Sequence, residues 1–108
     1  MAMVNQYEIF WVVLDPTLGS EINKIRPCLV ISPNDSNHYL NTVLIAPITS
    51  TLRKFPMRVD IILENKNGQI ALDQIRCIDK VRLKNKIDIL SKKEILKVKS
   101  LIKEYLVD

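Results

Sequence analysis

Up to residue 90 the hydrophobic positions of this chain fall into short runs separated by polar, proline-marked breaks; beyond it their spacing becomes helical. Tyr7 to Leu14 (YEIFWVVL) is β-branched and aromatic with Glu8 as its only charge, which predicts a mostly buried strand ended by Asp15-Pro16. A polar connection containing Gly19 follows and closes on Arg26-Pro27. At roughly ten residues it exceeds the usual hairpin loop of about two to five, and such loops tend to be functional or disordered. Cys28 to Ile31 predicts a short buried strand, stopped by Ser32-Pro33-Asn34-Asp35, a cluster suited to a turn or a single helical turn.

Thr42 to Ile48 reads as another buried strand, in which Pro47 predicts an edge position or a strand end. Met57 to Leu63 predicts a half-buried strand. Asn67-Gly68 predicts the tight turn of a hairpin, with φ > 0, and the return strand should continue through Asp73 to Ile78 with one polar face. Asp79 to Lys86 reads as a basic connection and Ile87 to Leu90 as a short last strand. Ser91-Lys92-Lys93-Glu94 is a capping box, with Leu90 and Ile95 as its hydrophobic staple. Ile95, Val98, Ile102 and Tyr105 then recur at helical spacing, joined by Leu101 and Leu106, so an amphipathic helix should pack on the sheet.

A length of 108 residues with 47% hydrophobic content suits one domain, residues 1–108, with a single core. No apolar run approaches the roughly twenty residues of a membrane span, and Met1 to Gln6 has no basic leader segment, so a cytoplasmic protein is expected. Cys28 and Cys77 each lie in an apolar run without a metal-ligand neighbour, and both are expected to be buried thiols. His38, the single histidine, is expected to be a solvated loop residue. The net charge of +4 lies in residues 61–108, where eleven Lys and Arg face seven Asp and Glu; this suits an acidic partner or a polyanion.

The chain has no phosphate-binding glycine loop, no clustered metal ligands and no Ser/His/Asp set, which excludes most enzyme classes. Its strand ends and loops do offer Arg26, Thr49, Ser50, Arg53, Asp73, Gln74 and Arg76. These suit phosphate recognition, and phosphoryl chemistry can run on positioning and electrostatics when the substrate carries its own nucleophile. RNA carries one in its 2′-hydroxyl. Arginine is permanently charged and presents a planar fork to phosphate oxygens, so it suits transition-state stabilisation and not general-base work.

DPTLGSEINKIRPCLVIS, followed by APITS and LDQIRCIDK, resembles the MazF/PemK (Kid) family of toxin endoribonucleases over nearly the whole chain. The resemblance implies a mainly β (α+β) fold, a small SH3-like β-barrel with a C-terminal amphipathic helix. It further implies a homodimer, cleavage of single-stranded RNA without metal or other cofactor, and a cognate acidic antitoxin. The family's main catalytic pair carries over onto Arg26, in the R-P dipeptide, and Thr49, in the P-I-T-S segment. One branch adds an arginine and an aspartate two residues apart, with a histidine after the loop glycine. Only the aspartate is kept here, as Asp73; Ala71 and Ser20 stand in the other two places, so that branch's mechanism cannot run unchanged and the general base stays open. An alternative role for Asp73 is a strand-end carboxylate paired with Arg76. Ser20, Glu21, Lys24, Ser50, Arg53, Gln74 and Arg76 are expected to bind RNA, with Ser20 and Glu21 also shaping the loop.

Two other readings stand beside this one. The same barrel occurs in relatives resembling the CcdB family of gyrase inhibitors, which depend on a tryptophan near the C-terminus; here the only tryptophan is Trp11. A nucleic-acid-binding barrel without activity would suit the basic second half equally well, and the presence of Arg26 and Thr49 speaks against it.

Overall fold

The computed structural model describes residues 3–14 and 25–107. Seven strands, β1 (Glu8–Val13), β2 (Ile25–Val30), β3 (Thr42–Thr49), β4 (Arg58–Leu63), β5 (Lys66–Ala71), β6 (Arg76–Asp79) and β7 (Leu83–Ile89), form one curled antiparallel sheet. Their order is β4-β5-β3-β2-β1-β7, with β6 also pairing with β3. A six-residue helix, α1 (Asn34–Tyr39), follows β2, and α2 (Lys92–Ile102) closes the chain, continuing into a π-helical turn at Lys103–Val107. The architecture is the expected mainly β fold with a C-terminal helix, its sheet curled into a half-barrel.

Alternation along the strands splits the single core expected from length into two clusters, one on each face of the sheet. Phe10, Val12, Cys28, Val30, Val43, Ile45, Ile78 and Leu83 form one of them. Ile9, Leu29, Ala46, Ile48, Val59, Ile61, Ile70 and Leu72 face α2, whose Val98 is fully buried, with Ile95, Leu101 and Ile102 packed around it. The predicted capping box is present: Ser91 Oγ accepts from Glu94 N at 3.2 Å, and Glu94 Oε1 accepts from Ser91 N at 3.0 Å. Glu8, buried in β1, accepts from Asn5 N at 2.7 Å and meets Lys86 Nζ at 2.6 Å. Burial pushes its carboxyl up, but the Lys86 and Asn5 bonds together outweigh that, and the net shift is downward.

Five expectations are corrected. The hairpin turns at Glu64-Asn65, both at positive φ (51° and 64°), and Leu63 pairs with Lys66; Asn67 and Gly68 lie inside β5. Gly68 answers a different need: a Cβ there would come within 3.3 Å of Ile48 Cγ2 and of the Thr49 carbonyl oxygen, so glycine lets β5 approach the end of β3. The return strand stops at Ala71, because a 3-10 turn at Leu72–Gln74 carries the chain across to the other end of β3, where β6 pairs from Arg76. Pro47 is in a central strand, at the point where β3 passes from pairing with β6 (up to Ile45) to pairing with β5 (from Ile48). Cys77 is exposed, since it faces outward beside Leu44 while its neighbour Ile78 takes the core side. Asp79–Lys86 is no plain connection: a 3-10 turn at Lys80–Arg82 leads straight into β7, and Arg82 donates to the carbonyl of Leu14. His38 is exposed as expected, on α1, with Nε2 3.2 Å from Asn5 Oδ1. Among the described residues no helix is long and apolar enough to cross a membrane.

Candidate nucleic-acid interface

Arg26 stands near the start of β2, braced by Pro27, which pairs with Trp11 of β1. Thr49 ends β3, directly opposite Gln69 of β5. The β2–β3 ladder runs to the pair Cys28↔Pro47, and Arg26 and Thr49 lie two residues beyond that pair on their own strands. A two-residue step preserves the face of a strand, so the two side chains sit on the same face at the open end of the ladder. Both residues are among those lining one groove of about 240 Å³, together with Trp11, Pro27, Ile48 and Ser50 and with Leu63, Glu64, Lys66, Asn67 and Gly68 of the β4–β5 hairpin.

The hydrogen bonding at Thr49 leaves it able to donate. Its Oγ1 accepts from Thr51 N at 3.1 Å, which uses one lone pair and leaves the hydroxyl proton for an incoming acceptor. Arg26 is exposed, and its guanidinium makes no ion pair with a described residue. Arg76, opposite Ile45, projects on the same face of the sheet as Arg26 and Cys28. The electrostatics of Cys28 register both cations: burial pushes its thiol up to about 12, while the charges of Arg76 and Arg26 pull the other way. The face thus presents two arginines over a buried, protonated thiol.

Of the remaining expected residues that the structure describes, one lines this groove and the others lie outside its lining. Ser50 lines it. Arg53 lies on the following loop, exposed, with its backbone held by Gln69. Gln74 is exposed on the 3-10 turn. Asp73, on the same turn, is paired with Arg58 and not with Arg76: Arg58 Nε donates to Oδ1 at 2.8 Å and Nη2 to Oδ2 at 3.3 Å. The hydrogen bond from Arg58 holds the Asp73 carboxyl below its usual range, so it is ionised at neutral pH. Ser20, Glu21 and Lys24 lie outside the described residues.

Sequence reasoning missed Trp11, Arg58, Glu64, Lys66 and Asn67. Trp11 could have been found from its place opposite the R-P dipeptide. The other four depend on hairpin register, which the Asn67-Gly68 signal misdirected. Among the described residues no group of three or more His, Cys, Asp or Glu could hold a metal ion.

Comparison with known proteins bears on the family and the fold. Residues 5–106 match the model of the PemK-like, MazF-like toxin of type II toxin-antitoxin systems. The chain is 32% identical over 81 residues to the endoribonuclease toxin MazF of Escherichia coli K12, covering 70% of this chain and 73% of that protein. Among solved structures, a MazE-MazF crystal structure from Deinococcus radiodurans superposes with a TM-score of 0.85 at 20% identity, covering 99% of this chain and 98% of that one. A mycobacterial endoribonuclease in complex with its cognate antitoxin gives 0.79 at 19% identity, covering 96% and 95%.

Proposed function

Because the chain belongs to the PemK-like, MazF-like toxins of type II toxin-antitoxin systems, a family of RNA-cleaving enzymes, we propose that it cuts single-stranded RNA at short sequences without a metal. The 2′-hydroxyl attacks the adjacent phosphorus, leaving a 2′,3′-cyclic phosphate and a 5′-hydroxyl. One observation carries the reading: Arg26 and Thr49, from different strands, line a single groove. In it the Arg26 guanidinium meets the dianionic phosphorane with a fork of charged donors, and the Thr49 hydroxyl donates a hydrogen bond to a non-bridging oxygen. Neither group needs to change protonation state to do this.

Ser50, Arg53, Gln74 and Arg76 extend the donor surface along the RNA backbone, and Trp11 offers a half-buried ring beside the groove for a base to stack on. Asp73, the third catalytic candidate, acts in this reading as an ionised carboxylate that orients Arg58. The segment holding Ser20, Glu21 and Lys24 selects substrate. The protein works as a homodimer, and its antitoxin is an acidic, partly disordered chain that covers the groove and competes with RNA for Arg26.

The test is a cleavage assay in EDTA with a short RNA and its 2′-deoxy counterpart at the scissile position. Arg26→Ala should lower cleavage by about 10² to 10³, the effect of losing one transition-state donor, and the deoxy substrate should stay intact. Near-normal activity of Arg26→Ala, or cutting of the deoxy substrate, refutes the proposal; RNA binding without cleavage by the unmodified protein would identify an inactive RNA-binding barrel instead.

A further inference from the structure

Gln69 is one of four buried polar or charged residues among the described residues, 7% exposed in the middle of β5. A primary amide in such a place must spend its donors and acceptors inside the protein. It spends them on the two backbone groups of one residue and on one carboxylate. Its Oε1 accepts from Arg53 N at 2.9 Å, its Nε2 donates to Arg53 O at 3.0 Å, and Nε2 donates again to Asp60 Oδ1 at 2.8 Å. A side chain here bonds both backbone groups of a loop residue, as a neighbouring strand would.

Among the described residues, the loop between β3 and β4 has few other anchors, one of them the Phe55 ring under the Arg58 guanidinium. It is anchored at its start by Thr51 N on Thr49 Oγ1 and at its end by Leu72 N on Met57 O at 3.0 Å. Leu52 to Phe55 has no regular structure and is exposed. Gln69 is also the cross-strand partner of Thr49, and its neighbour Gly68 packs against the Thr49 carbonyl. Two consecutive residues of β5 thereby set both the groove's hydroxyl donor and the loop that leaves it.

We infer that Gln69 is a positioning residue that clamps the Arg53 backbone and so holds the Ser50–Phe55 segment, with the Arg53 guanidinium, along the path of the RNA backbone. Asp60 keeps the amide from turning over, because it accepts only from the nitrogen end. This inference rests on the proposed RNA cleavage, and Gln69 touches no reacting atom: it acts through Arg53.

Cleavage kinetics for Gln69→Leu, Arg53→Ala and the double variant, with trypsin digestion of each, test the clamp. Gln69→Leu should raise KM by about tenfold with kcat nearly kept, the mark of lost binding that is uniform between ground and transition states. The slope of log affinity against log salt should fall by about 0.7 in either single variant, as for one lost phosphate contact on a single strand. The double variant should be no worse than Arg53→Ala, since one substitution acts through the other. In Gln69→Leu, trypsin should nick after Arg53 or Lys54 at least about tenfold faster, because local opening exposes the site. Additive effects in the double variant, an unchanged salt slope, or unchanged nicking would each overturn the inference. Should Gln69→Leu not fold, Asp60→Ala removes only the exposed anchor; faster nicking at the same bonds supports the clamp and wild-type nicking overturns it. If the unmodified protein cuts no RNA, the proposed function fails, while the nicking comparison still decides the clamp.

Discussion

Replacing Arg58 by Met keeps the aliphatic stem and removes the guanidinium, which makes the pair with Asp73 and lies over the Phe55 ring at 5.0 Å from its centroid. The Arg58 side chain is 6% exposed and that of Asp73 33%. One short charge-assisted hydrogen bond is worth about 1.5–3 kcal/mol; the longer second contact adds little, and the partial exposure of Asp73 screens the pair toward the lower end. The ring contact contributes about 0.5–1 kcal/mol. A loss of about 2 kcal/mol follows, and with an unfolding entropy of about 2.1 cal/mol/K per residue for a chain of this length, the melting temperature should fall by about 9 °C.

The pH dependence gives the sharper check. The folded carboxyl of Asp73 lies below its ordinary value of 3.8, so the pair's contribution is complete above the unfolded value and vanishes as pH falls through the lower folded value. Thermal or urea unfolding followed by circular dichroism should therefore show the wild-type advantage at neutral pH and most of it gone near pH 2, roughly two units below the ordinary carboxylate range. A melting-temperature loss below about 3 °C at neutral pH, or a difference unchanged in acid, would refute the reasoning.

Gly68→Ala should lower RNA cleavage by about tenfold while costing little stability, because the new Cβ pushes on the Thr49 carbonyl and misplaced catalytic groups lose rate steeply with distance; wild-type turnover would show that the close approach does not position Thr49. A thiol reagent should label one cysteine, Cys77, in the folded protein and reach Cys28 only on unfolding, since Cys28 is fully buried with its thiol pushed up to about 12. Rapid labelling of both would contradict the burial of Cys28.

Local signals were legible where one segment decides the outcome. The capping box needs only Ser91 and Glu94 three residues apart, and it forms as read. The strands at Tyr7, Cys28, Thr42 and Met57 follow from β-formers between turn residues, and the structure starts or ends them within a residue or three. Cys77 misled because an apolar run does not say which of its residues faces out. Pro47 misled because a proline can occupy a central strand where pairing changes partner.

Hairpin register was beyond the sequence for a physical reason. Asn-Gly favours positive φ, and so predicts a turn, yet Gly68 is spent on close packing against Ile48 and Thr49, a need created by β3, some twenty residues away. The turn then moves to Glu64-Asn65, where Asn tolerates the left-handed region. A turn at Asn67-Gly68 would have set Arg58 across from Cys77; the observed turn sets it across from Ala71, in reach of Asp73. That single choice produces the Arg58–Asp73 pair, the Asp60–Gln69 bond and the hairpin wall of the groove.

By itself, then, the sequence determined the residue types: two arginines and a hydroxyl at strand ends, a basic second half, and motifs whose order and spacing point to an RNA-cleaving family. It determined that neighbouring residues of a strand alternate, because alternation is local, but not which of them face the core, as exposed Cys77 shows. Only the tertiary structure decided which ends meet, since strand pairing is set by contacts between segments distant in sequence. That is why Arg26 and Thr49 were nameable from the chain, whereas their common groove and the clamp beside it were not.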